Sequence, residues 1–163
     1  MKYIIVNIIL MLSMNSYGQT KITPEDLKVV IGNWEGSITY LDYQSNKPFT
    51  MPANLNVAHG KNKNILLLNN TYPNEPKANN SDKIKIAKNG MLLNKNVVTS
   101  REELENGHIQ IQTEHEAKDD NKKALIRYTY VIGNDFFLIR KEVQFEEAGD
   151  WIKRSEFNYH RGK

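Results

Sequence analysis

His108, His115 and the triplet Glu114-His115-Glu116 supply the residue types that a metal site uses. The two histidines are separated by an odd number of positions. On one strand they project to opposite faces and cannot share an ion. Glu114, His115 and Glu116 alternate in direction for the same reason, and the segment reads as a solvated polar strand end. Asp119-Asp120-Asn121 lacks the glycine and the distal glutamate of a calcium loop and reads as a hairpin tip. The pairs Glu102-Glu103 and Glu146-Glu147 are sequence neighbours, so on a strand the members of each pair point apart. Glycoside hydrolysis needs two acids facing each other across a cleft. There is no Gly-x-Ser-x-Gly and no glycine-rich phosphate loop. With no cysteine, disulfides, thiolate nucleophiles, Fe–S clusters and cysteine-based zinc sites are excluded. The expectation is a chain with no catalytic residue, no metal and no cofactor. It is not read as an enzyme, with a hydrolase or lyase acting on exported substrates as the remotest alternative.

The aromatic residues point elsewhere. Tyr40, Tyr128, Tyr130, Trp151 and Tyr159 each offer an apolar body with a polar tip, the kind of side chain that lines a cavity for a small ligand. Arg127 and Arg140 lie one strand apart and are candidates for holding an anionic headgroup. The ligand-binding expectation therefore comprises Tyr40, Arg127, Tyr128, Tyr130, Arg140 and Trp151. The alternative is that the tyrosines fill the core or bridge its rim, since small barrels are often packed solid by their own side chains.

These residues sit in a chain of 163 residues, a length that points to one domain. A charged fraction of 25% beside many apolar runs does not suit a disordered chain. A formal charge of +3 is too weak to point to nucleic acid. Residues 1–18 read as a signal peptide. Lys2 supplies the positive start, residues 3–14 are almost wholly apolar, and Ser16 and Gly18 occupy the small-residue positions that a signal peptidase needs. The apolar run falls short of the ~20 residues that span a bilayer. The expectation is an exported protein, periplasmic or secreted, with a mature domain over residues 19–163. Without cysteine it carries no thioether-linked lipid, and no later segment is long and apolar enough to cross a membrane. Stability must come from the core alone.

Thr23-Pro24-Glu25-Asp26 is a helix start, with Thr23 as cap and Pro24 at the first helical position. Leu27, Val30 and Ile31 give one apolar face, and Gly32 ends the helix after two turns at most. From Trp34 onward the period is two, with Trp34, Ile38 and Tyr40 on one face and Glu35, Ser37 and Thr39 on the other. Turn residues recur at Ser45-Asn46-Lys47, His59-Gly60-Lys61-Asn62, residues 72–81, Asn89-Gly90 and residues 118–123. Residues 124–132, 136–145 and 151–159 form the last three strands. The count is eight to ten strands, which predicts an all-β, up-and-down antiparallel barrel with a short N-terminal helix closing one end; a sandwich with a bulge fits the strand pattern equally. Several late strands are apolar on both faces, among them Leu125, Ile126, Tyr128, Val131 and Ile132. Such a strand has one face for the interior and another for a covering segment or an envelope partner.

A short capped helix followed by Gly32-Asn33-Trp34 and a run of strands resembles the calycin superfamily of lipocalins and fatty-acid-binding proteins. The resemblance implies that Trp34 plugs the closed end of the barrel and that an arginine of the last strand lies over its indole. In a closed meander with an even strand count the last strand runs antiparallel beside the first. That brings Arg161, or alternatively Arg154, to Trp34. The chain lacks the helix that lipocalins add after their eighth strand and the helical lid of fatty-acid-binding proteins. The function implied is a secreted or periplasmic lipocalin-like protein that binds a small apolar or amphiphilic ligand. The alternative is a solid barrel that acts as an envelope interaction module.

Overall fold

In the computed structural model the described residues are 20–145 and 149–162. The segment expected to be a signal peptide, residues 1–18, and the Glu146-Glu147 pair lie outside them. Residues 24–28 form the helix α1 (Pro24–Lys28), and ten strands follow. They are β1 (Gly32–Leu41), β2 (Pro48–His59), β3 (Ile65–Thr71), β4 (Asn80–Ala87), β5 (Leu92–Leu93), β6 (Asn96–Glu103), β7 (Ile109–Asp119), β8 (Lys122–Ile132), β9 (Phe136–Gln144) and β10 (Ile152–Arg161). Each strand pairs antiparallel with its sequence neighbours, and β10 returns to β1, so the sheet is a closed barrel. Closure leaves no free lateral edge where strands run their full length. Among the described residues no helix is long and apolar enough to cross a membrane.

Helix α1 is held from both sides of Asp26. One carboxylate oxygen accepts the Thr23 backbone N–H at 2.7 Å, the reach-back half of a capping box. The other accepts Arg101 Nη2 at 2.7 Å and Nε at 3.2 Å, tying the helix to β6. Burial alone would raise the Asp26 pKa, but the bonds from Arg101 and Thr23 outweigh it and hold the carboxyl below its ordinary value. Asp26→Ala is expected to cost about 1–2 kcal/mol, in the range of a lost helix cap, read as a shift in the urea unfolding midpoint.

Two glycines are required by close approach. Gly32 has φ +123, and a Cβ there would stand 2.8 Å from Arg161 Nη1. Gly90 has φ +92, and a Cβ there would meet the Ile22 carbonyl oxygen at 2.1 Å. The segment before α1 crosses at this point, with Ile22 N–H donating to Gly90 O at 3.1 Å. Asn89-Gly90 therefore does not close a two-residue hairpin as the dipeptide suggests. It widens the β4–β5 connection to admit the N-terminal segment. The tight turns are at Asn94-Lys95 and Asp120-Asn121, where both central residues have positive φ as a type I′ turn demands.

Trp34 is 1% exposed and packs on Phe137 at 5.8 Å between ring centroids. Its indole N–H donates to Val30 O at 2.7 Å, joining barrel floor to helix end. Trp34 pairs with Arg161 in register, and the guanidinium carbon lies 4.0 Å from the indole centroid. Arg161 also donates to the carbonyls of Asn134 (2.8 Å), Ile31 (2.8 Å) and Val29. Of the two arginines expected at the plug, Arg161 takes the place. Arg154 lies at the opposite end of β10.

Candidate functional site: an interior cavity with a gap in its wall

The wall is incomplete on one side because β5 is two residues long. Strand β4 pairs with β5 only at Ile86↔Leu93 and Ala87↔Leu92. Strand β6 pairs with β7 only from Val97↔Glu114 down to Glu103↔Ile109. Residues 80–84 of β4 and 115–119 of β7 thus face each other across a gap with no strand between them among the described residues. The β5–β6 turn forms its lower edge. There Lys85 N–H donates to Asn94 Oδ1 at 2.8 Å, and Asn94 N–H to Lys85 O at 2.9 Å.

Behind this gap lies a cavity of about 500 Å³. Its floor and back wall are Leu68, Ile84, Ile139, Phe157, Tyr128, Tyr130 and Tyr159, with His115 on β7 beside them. The rings form a partial stack, with His115–Tyr128 centroids 6.2 Å apart and nearly parallel, and Phe157–Tyr159 5.7 Å apart. Burial pushes the Tyr130 and Tyr159 hydroxyls far above the ordinary phenol value, so both remain protonated donors. The Tyr159 hydroxyl, Thr113 Oγ1 and His115 Nδ1 are buried without a hydrogen-bond partner among the described residues. Burial, and after it the Lys141 charge, lower the His115 pKa, favouring the neutral ring. The interior is apolar with a few fixed polar atoms, and its volume falls within the roughly 300–1,000 Å³ of small-molecule pockets.

At the end of the barrel opposite Trp34, the Asp119 carboxylate is 2% exposed. It accepts Lys141 Nζ at 2.7 Å, Arg154 Nε at 2.8 Å and the Tyr43 hydroxyl at 3.0 Å. The Arg154 guanidinium carbon also lies 4.6 Å from the Tyr43 ring centroid.

No protein-family model and no curated protein matches the sequence. Among solved structures, the chain is similar to that of Rv2717c from M. tuberculosis, at 11% identity and a TM-score of 0.49, with 88% of this chain over 100% of that one. It is also similar to a protein of unknown function of the DUF3598 family from Nostoc punctiforme, at 10% identity and a TM-score of 0.40. That alignment takes in 87% of this chain and spans half the length of the other protein.

The structure separates the residues grouped from the sequence. Tyr128 and Tyr130 line the cavity, together with Tyr159. Tyr40 does not. It packs on Phe49 with the ring centroids 5.5 Å apart and the planes tilted by 50°, and borders a smaller pocket of about 240 Å³ with Lys141 and Arg154. Arg127, Arg140 and Trp151 are not among the cavity residues either. On β8 the inward residues are Ala124, Ile126, Tyr128, Tyr130 and Ile132, which leaves Arg127 on the outer face. There it pairs with Glu114 at 2.6 Å and lies 3.8 Å from the Trp151 ring centroid. Arg140 is paired opposite the outward Thr129 and binds Glu156 at 2.5 Å. The two arginines are brought together with acids on the barrel's outside and not with the tyrosines. Leu138, on the same outward face of β9 as Arg140, is only 7% exposed.

The sequence reading puts His115 in a solvated polar strand end and Asp119 in a hairpin tip, whereas both face the barrel interior and Asp119 is the last residue of β7. A signal was present, because alternation from the fully buried Ile111 puts Thr113, His115, Ala117 and Asp119 all on the inner face of β7.

Proposed function

We propose that this chain is an exported, non-enzymatic binding protein of calycin-like type whose barrel interior takes a small ligand with an apolar body and a few polar atoms. The single observation that carries this reading is the cavity of about 500 Å³, walled by Ile84, Ile139, Phe157 and three tyrosines. A barrel packed solid would have no such space. Burial keeps the interior tyrosine hydroxyls protonated, which suits hydrogen bonding to a ligand and not proton abstraction. Export rests on the pattern of residues 1–18.

The test is binding of a neutral apolar fluorophore, Nile red, to the mature protein. Micromolar binding is expected, and Ile139→Trp, which places an indole in the cavity, is expected to weaken it at least about tenfold, the loss of roughly 1.4 kcal/mol. Circular dichroism establishes that the variant keeps its fold. Absence of binding to the parent protein, or equal binding to the filled variant, overturns the reading.

A further inference from the structure

The cavity's lining contains four exposed residues, and all four border the gap: Asp82, Lys83 and Lys85 on β4 and Lys95 in the β5–β6 turn. The two barrel ends are crossed by side chains, Trp34 with Arg161 at one and Asp119 with Lys141, Arg154 and Tyr43 at the other. Three of the four rim residues are cationic. The fourth, Asp82, lies in phase with the inward Ile84 and keeps its negative charge while its Oδ1 accepts the Lys83 backbone N–H at 2.7 Å, so the rim carries three cations against one anion. The remaining polar lining at this level is neutral amide, from Asn70, Asn94 and Asn96. A rim with a surplus of positive charge over an apolar interior attracts a molecule that is negative at one end and apolar at the other.

Resting on the binding function proposed above, we infer that the ligand is an anionic amphiphile that enters sideways through the β4–β7 gap. Its apolar body lies against Ile84, Ile139 and Phe157, and its anionic head stays at the rim beside Lys83, Lys85 and Lys95. The small-ligand reading alone specifies neither a charge nor a side of the barrel.

The experiment compares decanoate with decanol, which share a chain and differ in the charge of the head, by displacement of Nile red from the mature protein. Decanoate is expected to bind roughly tenfold more tightly at low salt, and that advantage is expected to shrink in about 0.5 M sodium chloride, where the screening length is only a few ångströms. In the triple variant Lys83→Gln, Lys85→Gln, Lys95→Gln the two ligands are expected to bind alike, with decanol affinity unchanged. All three lysines are exposed, so the substitutions remove charge without opening the core. Equal affinity of the parent protein for both ligands overturns the inference and leaves the binding function standing. So does a decanoate advantage that survives in the triple variant. Failure of Nile red and both ligands to bind overturns the binding function itself, and this inference with it.

Discussion

Replacing Trp34 with alanine is expected to lower the unfolding free energy by about 3–5 kcal/mol, the upper range for truncating a buried aromatic. Three losses coincide at this residue. The indole is fully buried against Phe137, so its removal leaves a hole in the barrel floor. Its N–H no longer satisfies the Val30 carbonyl at the end of α1. The Arg161 guanidinium loses the ring beneath it, a contact worth about 0.5–2 kcal/mol when partly desolvated. Trp34→Phe separates these terms, since it retains much of the apolar contact and removes the N–H donor. It is expected to cost clearly less than the alanine variant in the same urea titration. A Trp34→Ala loss below about 1.5 kcal/mol would place the residue outside the core, where truncations cost less.

The floor of the barrel was legible in the sequence because its signals are local or topological. Thr23-Pro24-Glu25-Asp26 announces a helix start within four residues, and Gly32 and Trp34 mark the passage into β1. Antiparallel closure of an even number of strands brings the end of the last strand beside the start of the first, which narrows the partner of Trp34 to Arg161 or Arg154; the register Trp34↔Arg161 decides between them. The cavity was harder to read. Strands β8 and β9 carry apolar residues on both faces, so alternation does not say which face is inside, and Arg127 and Arg140 were placed with the tyrosines. The Arg127–Glu114 and Arg140–Glu156 pairs on the outward face are contacts between strands and leave no periodic trace in the sequence. The gap in the wall was equally hidden. It exists because β5 turns back at Asn94-Lys95, and that turn lacks the glycine that marks a hairpin.

Removing Asp119 is expected to rival the loss of Trp34, although it deletes a polar group. Asp119 is the common acceptor for Lys141, Arg154 and the Tyr43 hydroxyl. The side chains of Lys141 and Arg154 are themselves only 23% and 10% exposed. In Asp119→Ala two largely buried cations face each other with no anion between them. Breaking a buried pair in this way costs about 3–5 kcal/mol, most of it the penalty of the stranded charges. Asp119→Ala combined with Lys141→Met is therefore expected to recover part of the loss, because one stranded cation is gone and the remaining space is filled by an apolar chain. A double variant no more stable than Asp119→Ala would show that stranded charge is not the cause. Acid titration tests the same group independently. Burial acts to raise the Asp119 pKa, but the bonds from Lys141, Tyr43 and Arg154 and the Lys141 charge bring it below the ordinary value of 3.8. A carboxyl with a depressed folded-state pKa contributes stability that is complete above its unfolded value and is lost as pH falls through the folded one. The Asp119 contribution to the melting temperature is thus expected to be complete and independent of pH near neutrality and to be lost below about pH 4, where the unfolded chain takes up the proton first. Asp119→Asn cannot titrate and is expected to show a shallower fall over that acid range. The contrast between the two slopes isolates this carboxylate from Asp26 and Glu156, whose pKa values are also lowered by cationic partners and which remain in both proteins.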